Sequence, residues 1–239
     1  MNSNKHFMER RHFLKLGVTG VFGTIISTSD LLCSVEPAKA GGVGSAVTQS
    51  LTPDAALEKL LEGNQRFTQH HPQYPDQSAA RLLEVAQAQH PFATILSCAD
   101  SRVPPEIIFD QGIGDVFDIR IAGNIAIPEA IGSIEYAAVL LGTPVVMVLG
   151  HERCGAVTAT VQKQALLGNI GTFVQAIKPA LEKVSGQSGD AVENAVVANV
   201  QYQIERLGRS QLLTERVESG KLKIVGGRYD LDTGKVTIV

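Results

Sequence analysis

Three short apolar runs constrain the fold more than any other feature of this chain. They cover residues 92–97, 116–122 and 144–150, and the third carries Val145-Val146-Met147-Val148-Leu149 unbroken. A strand with one wet face alternates apolar and polar residues. A continuous run needs cover on both faces, as in the inner strands of a parallel sheet between helices. Between the second and third runs, Ile131, Ile134, Ala138 and Leu141 fall on one face of a helix over 128–141. That makes a strand-helix-strand unit, for which a right-handed crossover is expected. Helical patterns resume over 155–167, 172–184 and 191–218. Residues 221–229 and 236–239 flank Asp232-Thr233-Gly234 and read as a β-hairpin on the sheet edge.

Upstream, Thr52-Pro53-Asp54 opens a helix: a capping hydroxyl, a proline suited to the first turn and an acid near the positive end. Leu57, Leu60, Leu61 and Phe67 continue it at helical spacing. Residues 70–77 are polar with two prolines, a loop, and a second helix is expected over 78–89. The expected fold is a single α/β domain over 51–239, with a mostly parallel central sheet flanked by helices and a C-terminal β-hairpin.

The first forty residues read as a signal peptide. Lys5, Arg10 and Arg11 give a basic start, residues 16–26 are apolar or small and uncharged, and Ala38-Lys39-Ala40 is a small-x-small cleavage site. The run Arg10-Arg11-His12-Phe13-Leu14-Lys15 resembles a twin-arginine export signal, and Gly17, Gly20 and Gly23 dilute the apolar stretch. The resemblance implies export in the folded state to a periplasmic or equivalent compartment. Residues 41–50 would be a flexible linker, and membrane association would arise only through an uncleaved signal. Elsewhere no run reaches the roughly 18 apolar residues that a spanning helix needs. The net charge of -3, the 5% aromatic content and the absence of Trp disfavour a nucleic-acid role.

Chemistry gathers where two of the apolar runs end. Cys98-Ala99-Asp100-Ser101-Arg102 follows the first, and His151-Glu152-Arg153-Cys154 follows the third. Open α/β sheets bind ligands at the carboxyl ends of their strands, so the two clusters are expected to share one crevice. Two thiolates and one imidazole leave a fourth position on a tetrahedral zinc, the pattern of a catalytic site. The two cysteines could instead form a disulfide in an oxidising compartment or serve as small buried hydrophobes, and Asp100 with Arg102 could be a surface ion pair.

Cys98-x-Asp100-Ser101-Arg102 with His151-x-x-Cys154 some fifty residues on resembles the signature of beta-class carbonic anhydrases. The likeness runs from about Leu51 to the C-terminal hairpin. It includes Pro104-Pro105-Glu106, Phe109, Gly112, Gly114, Phe117, Arg120, Ala122-Gly123-Asn124 and Ile134-Glu135-Tyr136-Ala137. The resemblance implies reversible hydration of carbon dioxide to bicarbonate, with one zinc per subunit held by Cys98, His151 and Cys154 and water in the fourth position. It makes Asp100 and Arg102 the catalytic pair, Asp100 also a zinc ligand in a closed form. Phe117, Ala122 and Tyr136, some of them from a neighbouring subunit, would line the carbon dioxide pocket, with Gln89 and the main chain at Gly155 beside the substrate. A homodimer or homotetramer is expected.

Two thiolates already neutralise zinc's charge, so a rate rising toward alkaline pH is expected. Ile95 stands where the bicarbonate-gated branch carries a tryptophan, which predicts an open site without strong gating, although Arg120 matches that branch's arginine. His70, His71 and His90 read as loop or helix-end residues, and Glu152 and Arg153 as rim charges. The rival readings are a hydrolase for carbonyl sulfide or carbon disulfide, a non-catalytic zinc or bicarbonate binder, and a disulfide-stapled domain without metal.

Overall fold

The structure, a computed structural model, describes residues 51–239. The expectations for the signal, its cleavage after Ala40 and the linker lie outside the described residues. Helix α1 (Pro53–Thr68) starts as its sequence dictates: the Thr52 hydroxyl accepts from the Ala55 N–H at 3.2 Å, Pro53 fills the first turn and Asp54 follows. Helix α2 (Ala79–Val85) is shorter than the expected 78–89 and buries none of its residues. The first run becomes β1 (Ala93–Ser97), followed by a single helical turn, α3 (Pro105–Ile108), too short to carry a periodic pattern. The second run becomes β2 (Val116–Arg120) and the third β3 (Val145–His151).

The expected helix over 128–141 is α-helical only through α4 (Pro128–Glu135). Tyr136–Leu141 widens into π-helical turns that end at Gly142, a residue in the left-handed conformation with φ 75°. After β3 come α5 (Gly155–Val161), which stops short of the expected residue 167, a 3-10 turn (Gly168–Gly171) and α6 (Thr172–Glu182). The expected helix over 191–218 is two: α7 (Ala191–Leu207) and α8 (Gln211–Glu218). Gly208 ends the first, and the Ser210 hydroxyl caps the second by accepting from the Leu213 N–H at 3.3 Å. Strands β4 (Lys223–Tyr229) and β5 (Val236–Ile238) form the C-terminal hairpin.

The five strands lie in the order β2-β1-β3-β4-β5, the first four parallel and the last antiparallel. The chain leaves β1 toward β2 on one side, then returns to place β3 on the other. The order therefore reverses at β1, and the carboxyl ends of β1 and β3 are neighbours across a topological switch point. All residues of β1 and β3 are buried. Met147 and Leu149 face one core with Leu60, Ile95 and Phe109, where α1 and α3 pack. Val146 and Val148 face the other with Leu96, Ile134, Val200 and Leu213, under α4, α7 and α8. That double cover is why the runs are unbroken. A buried amide ties the layers together: Asn64 donates to the carbonyls of Ile108 (3.1 Å) and Gly234 (2.8 Å) and accepts from the Val236 N–H (2.8 Å).

Candidate metal centre

Cys98 follows β1, His151 is the last residue of β3 and Cys154 precedes α5. The turn between His151 and Cys154 is tight enough to hold Arg153 at φ 51°. One ligand atom from each of the three residues lies within 4.8 Å of the others, all three residues are buried, and both cysteines are free thiols. A third apolar cluster packs around them from α5, α6 and α7, including Ala156, Val157, Ile177 and Val196.

The imidazole is oriented by its own neighbour. His151 Nδ1 lies 2.9 Å from the carbonyl of Glu152, and a carbonyl only accepts, so the ring proton sits on Nδ1. The lone pair is left on Nε2, which is buried with no hydrogen-bond partner among the described residues. An orphaned buried acceptor beside two thiols is what a thiophilic cation would satisfy. The two thiols also prepare for one. Contact with the Cys154 thiol, together with His151 and the N–H of Gly123 at 3.3 Å, pulls Cys98 down to about 4 against the opposing effect of burial. The same contact with Cys98, reinforced by burial, pushes Cys154 up. The contact thus favours ionisation of one sulfur of the pair at the expense of the other, the Cys98 sulfur being the one pulled down. These residues fit a zinc ion.

Asp100 stands at the mouth, with Oδ2 3.9 Å from His151 Nε2. Arg102 grips it twice, Nε to Oδ1 at 2.9 Å and Nη2 to Oδ2 at 2.8 Å, and the Arg102 backbone N–H adds a third bond to Oδ1. The Arg102 side chain is the main reason the Asp100 carboxyl is held down at about 2.

Two contacts could not be read from the sequence. Arg120, at the end of β2, donates to the carbonyls of Cys98 (3.2 Å) and Asp100 (2.6 Å), and so braces the segment that carries both residues. Gly123 turns its N–H onto the Cys98 sulfur with φ 75°, its carbonyl held by the buried Asn199 at 2.9 Å. A Cβ at Gly123 would meet Ile177 Cδ1 at 2.7 Å. The resemblance marked Arg120 and Gly123 as matching residues but gave neither of them a contact to the Cys98 segment.

The remaining sequence candidates divide. Ala122 packs on the cluster around the two cysteines, and Gly155 directly follows Cys154, where an added Cβ would meet open space. Gln89, Phe117 and Tyr136 lie elsewhere. Gln89 is exposed before β1, at the strand end opposite Cys98. Phe117 pairs with Thr94, about 13 Å along the strand from Cys98 at about 3.3 Å per residue. The Tyr136 ring sits 6.1 Å from that of Phe117. One chain does not bring these three to its own metal centre. A second group of possible ligands, Glu152, Asp230 and Asp232, is engaged in ion pairs with Arg153 and Arg228.

Residues 93–236 match the family described as carbonic anhydrase. The chain is 39% identical over 191 residues to carbonic anhydrase 2 of Mycobacterium tuberculosis, covering 78% of this chain and 92% of that one. It is 36% identical over 193 residues to the carbonic anhydrase of Mycolicibacterium smegmatis, covering 78% and 93%. Among solved structures it resembles the beta-carbonic anhydrase CafA of Aspergillus fumigatus with a TM-score of 0.64 at 27% identity, covering 78% of this chain and 89% of that one.

Proposed function

Because this chain belongs to the carbonic anhydrase family, in its beta class, and catalyses the reversible hydration of carbon dioxide to bicarbonate, we propose that Cys98, His151 and Cys154 hold its zinc and that Asp100 and Arg102 direct the reaction. The observation that carries this reading is the buried lone pair of His151, unpartnered among the described residues, beside two free cysteines, with the Arg102-held carboxylate 3.9 Å away. When bound, zinc supplies the Lewis acidity that makes water a nucleophile near neutral pH.

The chain's own residues position the reactants. Asp100, ionised and fixed by Arg102, accepts the hydrogen of the attacking water and aims a lone pair at the carbon of carbon dioxide. Released from Arg102, the same carboxylate would close the site as a fourth ligand. Arg120 and the Gly123 N–H keep Cys98 and Asp100 in register with each other. Carbon dioxide is uncharged and needs an apolar wall. Ala122 and the main chain at Gly155 furnish one side, and Gln89, Phe117 and Tyr136 furnish the other from a second copy of the chain. Their distance from their own Cys98, and the apolar exposure around Tyr136 and Leu140, support that division. In this reading the enzyme is a homodimer, or a tetramer of two such pairs. The signal features up to Ala40 make it an exported enzyme of the periplasm or an equivalent compartment.

The test is zinc per subunit together with stopped-flow hydration of carbon dioxide. About one zinc per chain, activity lost with a chelator and regained with zinc, and a rate rising toward alkaline pH are expected. Absence of zinc, with Cys98 and Cys154 oxidised to a disulfide, would overturn the assignment of the centre.

A further inference from the structure

Away from the metal centre, a cavity of about 280 Å³ opens between the end of α1, the loop after it and α3. Phe67 and Tyr74 give it aromatic walls, and Glu106, Asp110, Gln111 and His70 supply its polar groups. Gln111 is the decisive one. Its residue is buried, and its Nε2 donates to the Phe109 carbonyl at 2.7 Å. Turning the amide over would set oxygen against oxygen, so Oε1 is fixed as the free acceptor. That Oε1 is buried and has no partner among the described residues. A lone acceptor of this kind calls for a donor.

The charges point the same way. Both Asp110 oxygens are taken up, by Arg66 Nε (2.6 Å) and by the N–H groups of Gln73 and Tyr74 (2.9–3.1 Å). The Asp110–Arg66 pair is neutral, and among the described residues Glu106 forms no ion pair. The lining thus includes a carboxylate outside any ion pair among the described residues, a buried amide oxygen without a partner among them and two aromatic rings, while the neighbouring Arg66 is already paired. On the rim His70, Tyr74 and Asp110 all sit at positive φ (58°, 49° and 46°), unusual for residues with a side chain; the Asp110 carboxylate holds the N–H of Tyr74, and the Phe67 carbonyl that of His70.

We propose that this cavity is a binding site for a small primary alkylammonium ion. The ammonium donates to Gln111 Oε1 and Glu106, and its apolar stem lies against Phe67 and Tyr74. Attraction of the cation to the ring faces adds to the charge-assisted hydrogen bonds. A cavity this small suits a stem of a few carbons rather than a larger ligand. The site does not depend on the metal centre, so it stands or falls separately from the hydration chemistry.

The experiment is calorimetric titration of the full zinc-loaded chain with n-butylammonium chloride at neutral pH, beside sodium butyrate and butan-1-ol as anionic and uncharged counterparts. Saturable binding in about the millimolar range is expected for butylammonium alone. The Gln111 side-chain amide should shift with the same saturation curve in NMR spectra. Glu106→Gln and Tyr74→Ala change exposed residues and leave the core intact; the first should weaken binding about tenfold, the cost of one charge-assisted contact. Gln111→Met should weaken it as much. Equal binding of butanol, no saturation, or unchanged affinity in Glu106→Gln and Tyr74→Ala would overturn the proposal.

Discussion

Arg102 offers a clean separation of catalysis from folding. It is 53% exposed, and its pairing with Asp100 is the kind of solvent-screened surface ion pair that adds little to stability. If its task is to aim Asp100, Arg102→Ala should leave the melting temperature and zinc content nearly unchanged while turnover falls about a hundredfold, the usual scale for a mispositioned acid-base group. Stopped-flow hydration beside metal analysis reads both quantities, and unchanged turnover would remove the role. Gly123 makes the opposite case. Alanine there must hold φ 75° and push against Ile177 at 2.7 Å, so Gly123→Ala should cost about 1–3 kcal/mol, visible as a lower denaturation midpoint. Because its N–H also touches the Cys98 sulfur, zinc should bind more weakly in the variant; a competition titration against a chelator measures that.

At the scale of elements, β2 carries an anomaly. Asp118 lies in its middle, paired in register with Ile95, and its Oδ1 is buried without a partner among the described residues. Burial first, then the negative charge of Glu106, raise its carboxyl from 3.8 to about 7, with Arg120 pulling the other way. A carboxyl raised on folding binds its proton more tightly in the folded chain. Its stabilising effect is therefore complete below about pH 4 and is lost as the pH climbs through 7. Asp118→Asn stays neutral throughout, so its melting temperature should match the parent's near pH 4 and exceed it by several degrees at pH 8, where the parent carries the buried charge. A difference in melting temperature that does not change with pH would show that Asp118 does not titrate in this range. Strands β1 and β3 were readable because burial on both faces leaves an unbroken apolar run, and that run located the two clusters at its ends. The break between α7 and α8 was not, since the apolar spacing continues across Gly208 while the capping hydroxyl of Ser210 decides the geometry. The braces on the site, Arg120 to the Cys98 carbonyl and Gly123 to its sulfur, join residues 22 and 25 positions apart. No local pattern encodes such contacts; only the tertiary fold creates them.

At the scale of the whole molecule, the apolar surface is uneven. Leu83 on α2 and Leu140 in the π-helical turns are 75% and 69% exposed, and β2 leaves one edge of the sheet unpaired among the described residues. Open sheet edges beside exposed leucines are surfaces that soluble proteins normally cover. A second copy related by a two-fold axis would cover them and carry Phe117 and Tyr136 toward the other chain's metal centre. That arrangement predicts complementation between two crippled chains. Arg102→Ala spoils a chain's own centre but leaves its Tyr136 intact; Tyr136→Ala does the reverse. In a mixed pair, one centre receives both defects and the other receives none. Co-expressing the two with different tags and isolating the mixed pairs should give about half the parent's turnover per pair, although each variant alone is impaired. If each chain instead builds its pocket from its own Tyr136, every centre in the mixed pair carries one defect. The turnover would then equal the mean of the two variants measured alone, and the shared site would be ruled out.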